Sequence, residues 1–138
     1  MTDWLLDTNV VSELVRPRPD GRVLSFLSNL SSAYLSVITI YELEFGRRRA
    51  PGPRRRTELG AWLAEVEGEY ADRILPVGRV TAKEAAQLRA EAAEKGRTVQ
   101  LADALIAGTA LQHQMTIATR NTRDFDDCGV ATFDPWSS

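Results

Sequence analysis

The chain has 138 residues, 43% apolar and 26% charged, with 17 basic residues against 19 acidic ones for a formal net charge of −2. That length fits one domain, residues 1–138, with a proper buried core, and the composition excludes a disordered chain. No apolar run approaches the roughly 20 residues of a membrane span. Met1-Thr2-Asp3-Trp4 carries neither the basic nor the apolar region of a signal peptide. The single Cys128 makes no internal disulfide, so the expectation is a protein of the reducing cytoplasm, not of the membrane.

Trp4-Leu5-Leu6 reads as a short buried strand that stops at Asp7, and Val10, Val11, Leu14 and Val15 follow at helix spacing, with Thr8 or Asn9 placed to cap. Asp20-Gly21 opens a second helix bearing Val23, Leu24, Leu27 and Leu30, set off by Pro17 and Pro19. Ala33–Val37 is the second strand. Thr39 is expected to start the next helix, with Thr39-x-x-Glu42 in the pattern of a capping box. Arg47-Arg48-Arg49-Ala50-Pro51-Gly52-Pro53-Arg54-Arg55-Arg56 reads as a turn, because two prolines around a glycine stop a helix. Leu59, Trp62, Leu63, Val66 and Tyr70 form an apolar stripe on the helix that follows. Arg73–Val77 is a short or edge strand on account of Pro76. Thr81 and Glu84 spell a second capping box before an alanine-rich helix that ends at Gly96. Thr98 is placed to cap a helix from Val99 to about Gln112. Met115–Thr119 is a fourth strand, Asp124–Asp127 a turn or single helical turn, and Val130–Phe133 a last strand. Strands alternating with helices predict an α/β domain with a largely parallel sheet and helices on both faces.

In such folds sites form at the carboxyl ends of the strands. Asp7 and Asp124 lie just past strand ends, while Glu42 and Asp103 lie in the early turns of helices that begin at the same edge. Asp103 is flanked by Ala102 and Ala104, small apolar neighbours unusual for a solvated helix acid. Each acid alone is equally well a cap or turn residue; their convergence is the informative feature. Four acids on one rim repel one another unless a cation offsets them. Oxygen-only donors suit Mg²⁺ or Mn²⁺, which activates water and stabilises charge on a phosphodiester. His113 is the only histidine, which excludes a two-histidine ribonuclease, and no phosphate-cradling glycine loop is present. Asp7-Thr8-Asn9 lacks the second acid of the haloacid-dehalogenase phosphatases. Leu75-Pro76-Val77 lacks the phosphoacceptor of a receiver domain.

The chain resembles the PIN-domain family, and within it the VapC/FitB-like toxins of bacterial toxin–antitoxin pairs. The resemblance runs in order through Leu6–Leu14, Thr39–Gly46, Asp103–Ala110 and Thr119–Phe125. It implies a PIN-like three-layer α/β/α domain with a mainly parallel five-stranded sheet. It further implies a Mg²⁺- or Mn²⁺-dependent endoribonuclease whose catalytic and metal-binding acids are Asp7, Glu42, Asp103 and Asp124, with Asp7 and Asp103 the foremost ligands; Asp126 and Asp127 are alternatives for the late acid. The implied partners are RNA, a VapB-like antitoxin and a second copy in a homodimer. Part of the Leu59–Val66 stripe is then expected to face the antitoxin. Six of the 17 basic residues lie in Arg47–Arg56, and Arg47, Arg48, Arg49, Arg54, Arg55 and Arg56 are the expected RNA-backbone contacts. The competing reading makes them a solvated loop paired with Glu58, Glu65 or Glu67. A PIN-like module that binds without cleaving, a DNA nuclease of the same chemistry, and an α/β domain with unrelated acids are the other classes to separate.

Overall fold

The computed structural model describes residues 2–137; Met1 and Ser138, the ends of the expected domain, lie outside them. Five short strands, β1 (Trp4–Leu6), β2 (Ala33–Ser36), β3 (Ile74–Leu75), β4 (Thr116–Ala118) and β5 (Thr132–Phe133), form a sheet in the order β3-β2-β1-β4-β5. Every pairing is parallel, so the sheet expected to be mainly parallel is wholly so. In the register, Leu5 stands beside Tyr34 on one side and Ile117 on the other, and Leu6 beside Ala118. β3 is an edge strand, as Pro76 requires.

Among the described residues six helices cover the faces: α1 (Thr8–Glu13), α2 (Gly21–Ser28), α3 (Val37–Arg49), α4 (Pro53–Glu69), α5 (Arg79–Glu94) and α6 (Leu101–His113). Period-two alternation in the strands sorts them into layers. Leu5 and Ile117 pack with Ala85, Leu88 and Ala92 of α5 and Ala104, Ile106 and Ala107 of α6. Leu6, Leu35 and Ala118 pack with Val10 and Val11 of α1, Val23 of α2, Leu43 of α3 and Leu63 and Val66 of α4. Most of the α4 stripe is therefore core. The approach of α5 to α6 is close because Gly108 has no side chain: a Cβ there would lie 2.9 Å from the Thr81 carbonyl oxygen. Glu13, buried at the end of α1, accepts the Asp20 N–H at 2.8 Å and so ties down the proline-bearing link to α2.

Several helix starts differ from expectation. Asp7, rather than Thr8 or Asn9, caps α1. Ser36 caps α3 through the Ile38 N–H, so Thr39 stands inside the helix, fully buried, and the expected box with Glu42 is absent. Gly78 stands at the cap of α5 and offers no side-chain bond; the Thr81 hydroxyl instead bonds Gln112 of α6. Gln100, rather than Thr98, stands at the cap of α6, also without a side-chain bond. The arginine segment is not one turn: Arg47–Arg49 end α3, the turn is Ala50–Gly52 with Gly52 at φ 81°, and Arg54–Arg56 belong to the first turn of α4. Pro53 starts that helix, because the first helical residue needs no N–H.

Candidate active site at the carboxyl edge of the sheet

β1 passes into α1 through the single residue Asp7, and β2 passes into α3 with no intervening residue. Both helix starts therefore stand on the carboxyl edge. α6 runs back across the sheet before feeding β4, which brings its first turn, with Asp103, to the same edge. Beyond β4 the chain makes a 3₁₀ turn, Thr122–Phe125, that carries Asp124; buried Phe125 anchors it, and Asp124 itself is exposed.

Asp7 is only 6% exposed. Its Oδ1 accepts the Thr8 N–H at 2.8 Å, and its Oδ2 accepts the Thr119 hydroxyl at 2.8 Å and the Asn9 side-chain amide at 3.3 Å. Burial raises its pKa; the bonds from Thr119 and Thr8 oppose this, and the charges of Glu42 and Asp124 add to the rise. Glu42 accepts the Thr8 hydroxyl at 2.5 Å, so one helix start touches two of the acids. Asp103 is pushed up to about 6, first by burial and then by the charges of Asp7, Asp124 and Glu42. The structure thus brings all four expected acids into one electrostatic cluster. Asp126 is exposed, and Asp127 pairs with Arg97 at 3.0 Å. Asp103 senses Asp124 and neither of those two.

The donor set fits a hard divalent cation. It is all oxygen: His113 is exposed at the C-terminal end of α6, and burial pushes the Cys128 thiol up to about 11, away from thiolate chemistry. Among the described residues no three acids close into a ready-made cage. Mg²⁺ and Mn²⁺ need fewer protein donors than such a cage supplies, since they are held by one or two carboxylates and keep several waters.

The arginines divide. Arg47 and Arg55 line a cleft of about 290 Å³ with Thr8, Ser12, Trp62 and one of the four acids, Glu42. The Arg47 guanidinium bonds Glu44 at 3.1 Å and lies over Gly60, whose missing Cβ leaves it room. Arg55 pairs with Glu58 at 3.8 Å. Arg48 pairs with Glu44, Arg54 with Glu58, Arg49 lies over Phe45, and Arg56 donates to the Ala50 carbonyl. Glu65 and Glu67 take part in none of these pairs.

Thr8 and Asn9 were expected only as caps, and Thr119 was given no role of its own; the structure has all three bonded to the acids. Thr119 follows Ala118, the residue paired with Leu6, so it stands opposite Asp7. Only knowledge that β1 neighbours β4 reveals that, and no local pattern carries it.

This parallel sheet, with acids from four elements gathered at its carboxyl edge, is the frame of a PIN domain, and the PIN-domain family model matches residues 4–130. The chain belongs to the PIN-domain family. It is 41% identical to "Toxin FitB" of Neisseria gonorrhoeae, over 96% of this chain and 97% of that one. It is 38% identical to "VapC ribonuclease Y4jK" of Sinorhizobium fredii, over 96% of each chain. Among solved structures it matches the crystal structure of FitAcB from Neisseria gonorrhoeae with a TM-score of 0.92 at 40% identity, covering 98% of this chain and 99% of that one. It also matches VapBC-5 of Mycobacterium tuberculosis, a member of the VapBC family of toxin-antitoxin systems, with a TM-score of 0.69 at 25% identity, covering 96% of this chain and 97% of that one.

Proposed function

We propose that this chain is the toxin of a toxin–antitoxin pair and a Mg²⁺- or Mn²⁺-dependent endoribonuclease of the cytoplasm. The observation that carries this reading is the convergence of Asp7, Glu42, Asp103 and Asp124, with Asp103 raised to about 6 by burial and by the charges of the other three. Relatives named as a toxin and as a ribonuclease support it. Asp7 and Asp103 would hold the ion, with Glu42 and Asp124 beside them. When bound, such an ion supplies an activated water and offsets charge developing on the phosphate. Asp7 is pre-aimed by its three hydrogen bonds, so little ordering is left for the moment of reaction. Arg47 and Arg55, beside Glu42, hold the RNA backbone over an edge that would otherwise repel it.

The partner of this reading is a VapB-like antitoxin, supported by the likeness to structures of FitAcB and of a VapBC toxin-antitoxin system. Of the expected α4 stripe, Leu59 and Trp62 line the cleft and are free to meet it, whereas Leu63 and Val66 are buried. The homodimer of this reading uses a different face, where Tyr41 is 64% exposed, Phe45 53% and Leu101 57%. No helix among the described residues is long and apolar enough to cross a membrane.

The test is incubation of the purified protein with total RNA in Mg²⁺, in Mn²⁺, in EDTA, and as the Asp7→Asn variant, with single-stranded DNA alongside. The expected result is cleavage of RNA and not DNA, with Mg²⁺ or Mn²⁺ and not with EDTA, by the wild type and not by the variant. Intact RNA in both Mg²⁺ and Mn²⁺, or cleavage that survives EDTA, overturns the reading.

A further inference from the structure

In the segment that leads from β4 to Asp124, the Asn121 carbonyl accepts the Asp124 N–H at 3.0 Å, but no backbone carbonyl among the described residues holds the N–H of Arg120 or Asn121. The last ladder bond on that side is the Thr119 N–H to the Phe133 carbonyl at 2.9 Å. Arg120 and Asn121 are exposed, and an exposed stretch with few buried contacts opens readily. Yet both of their N–H groups are taken, each by a side chain. Asn9 Oδ1 accepts the Arg120 N–H at 3.1 Å, and Thr119 Oγ1 accepts the Asn121 N–H at 3.0 Å. The same two side chains hold Asp7: both bond its Oδ2, and they also approach each other, Asn9 Nδ2 to Thr119 Oγ1, at 3.4 Å. Thr119 is fully buried. Its one proton goes to Asp7, while the Asn121 and Asn9 donors occupy its acceptor side, so the hydroxyl has no capacity to spare.

We infer that Asn9 and Thr119 are positioning residues that clasp segment 119–121 to the head of α1 and thereby fix where Asp124 stands relative to Asp7. The inference rests on the nuclease reading above. Neither residue touches substrate in this scheme. Each ties one acid's carboxylate to the backbone that carries another acid, across more than a hundred residues of sequence. The 3₁₀ turn then inherits its origin from the clasp and its far end from buried Phe125. Arg120, whose guanidinium lies 5.1 Å from the Trp136 ring, braces the outer side of the same segment.

The experiment pairs amide hydrogen exchange, read residue by residue in EDTA, with steady-state cleavage in Mg²⁺. Asn9→Ala is expected to speed exchange at Arg120, and Thr119→Val at Asn121, by about tenfold, the loss of one net hydrogen bond. Exchange at Ile117 and Thr119, whose N–H groups sit in the β4–β5 ladder, stays unchanged. On RNA, kcat falls by about 10–100-fold, the usual cost of losing an outer-shell partner, while KM holds. Thr119→Ser, which keeps the hydroxyl, returns both readouts to wild type. Unchanged exchange at Arg120 and Asn121 overturns the clasp. Faster exchange with an unchanged kcat overturns the positioning role. If Thr119→Val does not fold, Asn9→Ala decides both points. A wild type that cleaves no RNA overturns the nuclease reading, and the exchange arm, which needs neither metal nor substrate, still decides the clasp.

Discussion

Replacing Asp103 with Asn should make the metal-free protein more stable at neutral pH. A carboxyl moved from its usual 3.8 up to about 6 is one the fold prefers protonated. The folded state therefore binds more protons than the unfolded chain between those values, and stability falls as pH rises through that window. At 1.36 kcal/mol per decade the full cost of ionisation is about 3 kcal/mol, and partial exposure with water screening reduces it to roughly 1 kcal/mol. Asn is close in shape and carries no charge, so Asp103→Asn recovers that roughly 1 kcal/mol at pH 7.5 and nothing near pH 3.5, where the wild-type carboxyl is already neutral. For a domain of this size the gain corresponds to about 3–5 °C in Tm. The assay is thermal and urea unfolding in EDTA at both pH values, repeated with millimolar Mn²⁺, where the order reverses because the wild type alone has the charge to bind the ion tightly. A variant no more stable than wild type at pH 7.5 in EDTA, or an equal gain at pH 3.5, refutes the reasoning.

Three other outcomes are expected. Mn²⁺ at about 100 times its dissociation constant should stabilise the wild type by about 2.7 kcal/mol and leave Asp7→Asn unmoved, read as a shift in urea midpoint; coincident wild-type curves with and without the ion contradict a metal site. In the inactive Asp7→Asn background with Mg²⁺ present, Arg47→Ala with Arg55→Ala should flatten the dependence of log K on log[salt] by roughly 0.7 per lost single-strand phosphate contact, while Arg48→Ala with Arg54→Ala, outside the cleft, should not. Light scattering should find a dimer that Tyr41→Asp with Phe45→Asp dissociates; a wild-type monomer at high concentration excludes this face as the contact.

The positions of the acids were legible because each obeys a rule of topology. An acid after a buried strand, or early in a helix that begins at the carboxyl edge, arrives at one rim however the rest of the chain packs. The caps were not legible, and the reason is local ambiguity. Ser36 looks like the last residue of a strand and is also the cap of α3, whereas Thr39 and Thr81 spell capping boxes yet stand inside their helices, buried. Tertiary packing chose among equivalent hydroxyls: Thr81 is more useful bonding Gln112 across α5 and α6 than capping its own helix. The arginine turn failed on a rule applied too broadly, since proline ends a helix from within but begins one at its first residue. Thr119 and Asn9 were beyond any local pattern, because their roles exist only once β4 lies beside β1.

The passage from β1 to α1 through one residue makes the chain very unequal in what it tolerates. A residue inserted between Leu6 and Thr8 has no slack to vanish into. Because side chains alternate along a strand, it would turn the carboxylate toward the opposite layer and drag Thr8 and Asn9 off their partners. The junction of Ser36 with Val37 is equally unforgiving. The turn Ala50–Gly52 lies far along α3 from that junction and joins two helices on the outside, where added length costs only a slowly growing closure entropy. Of these three links, the one between α3 and α4 is where added length costs least, and tags or fusions that leave the chemistry intact belong at 50–52 rather than at either strand end.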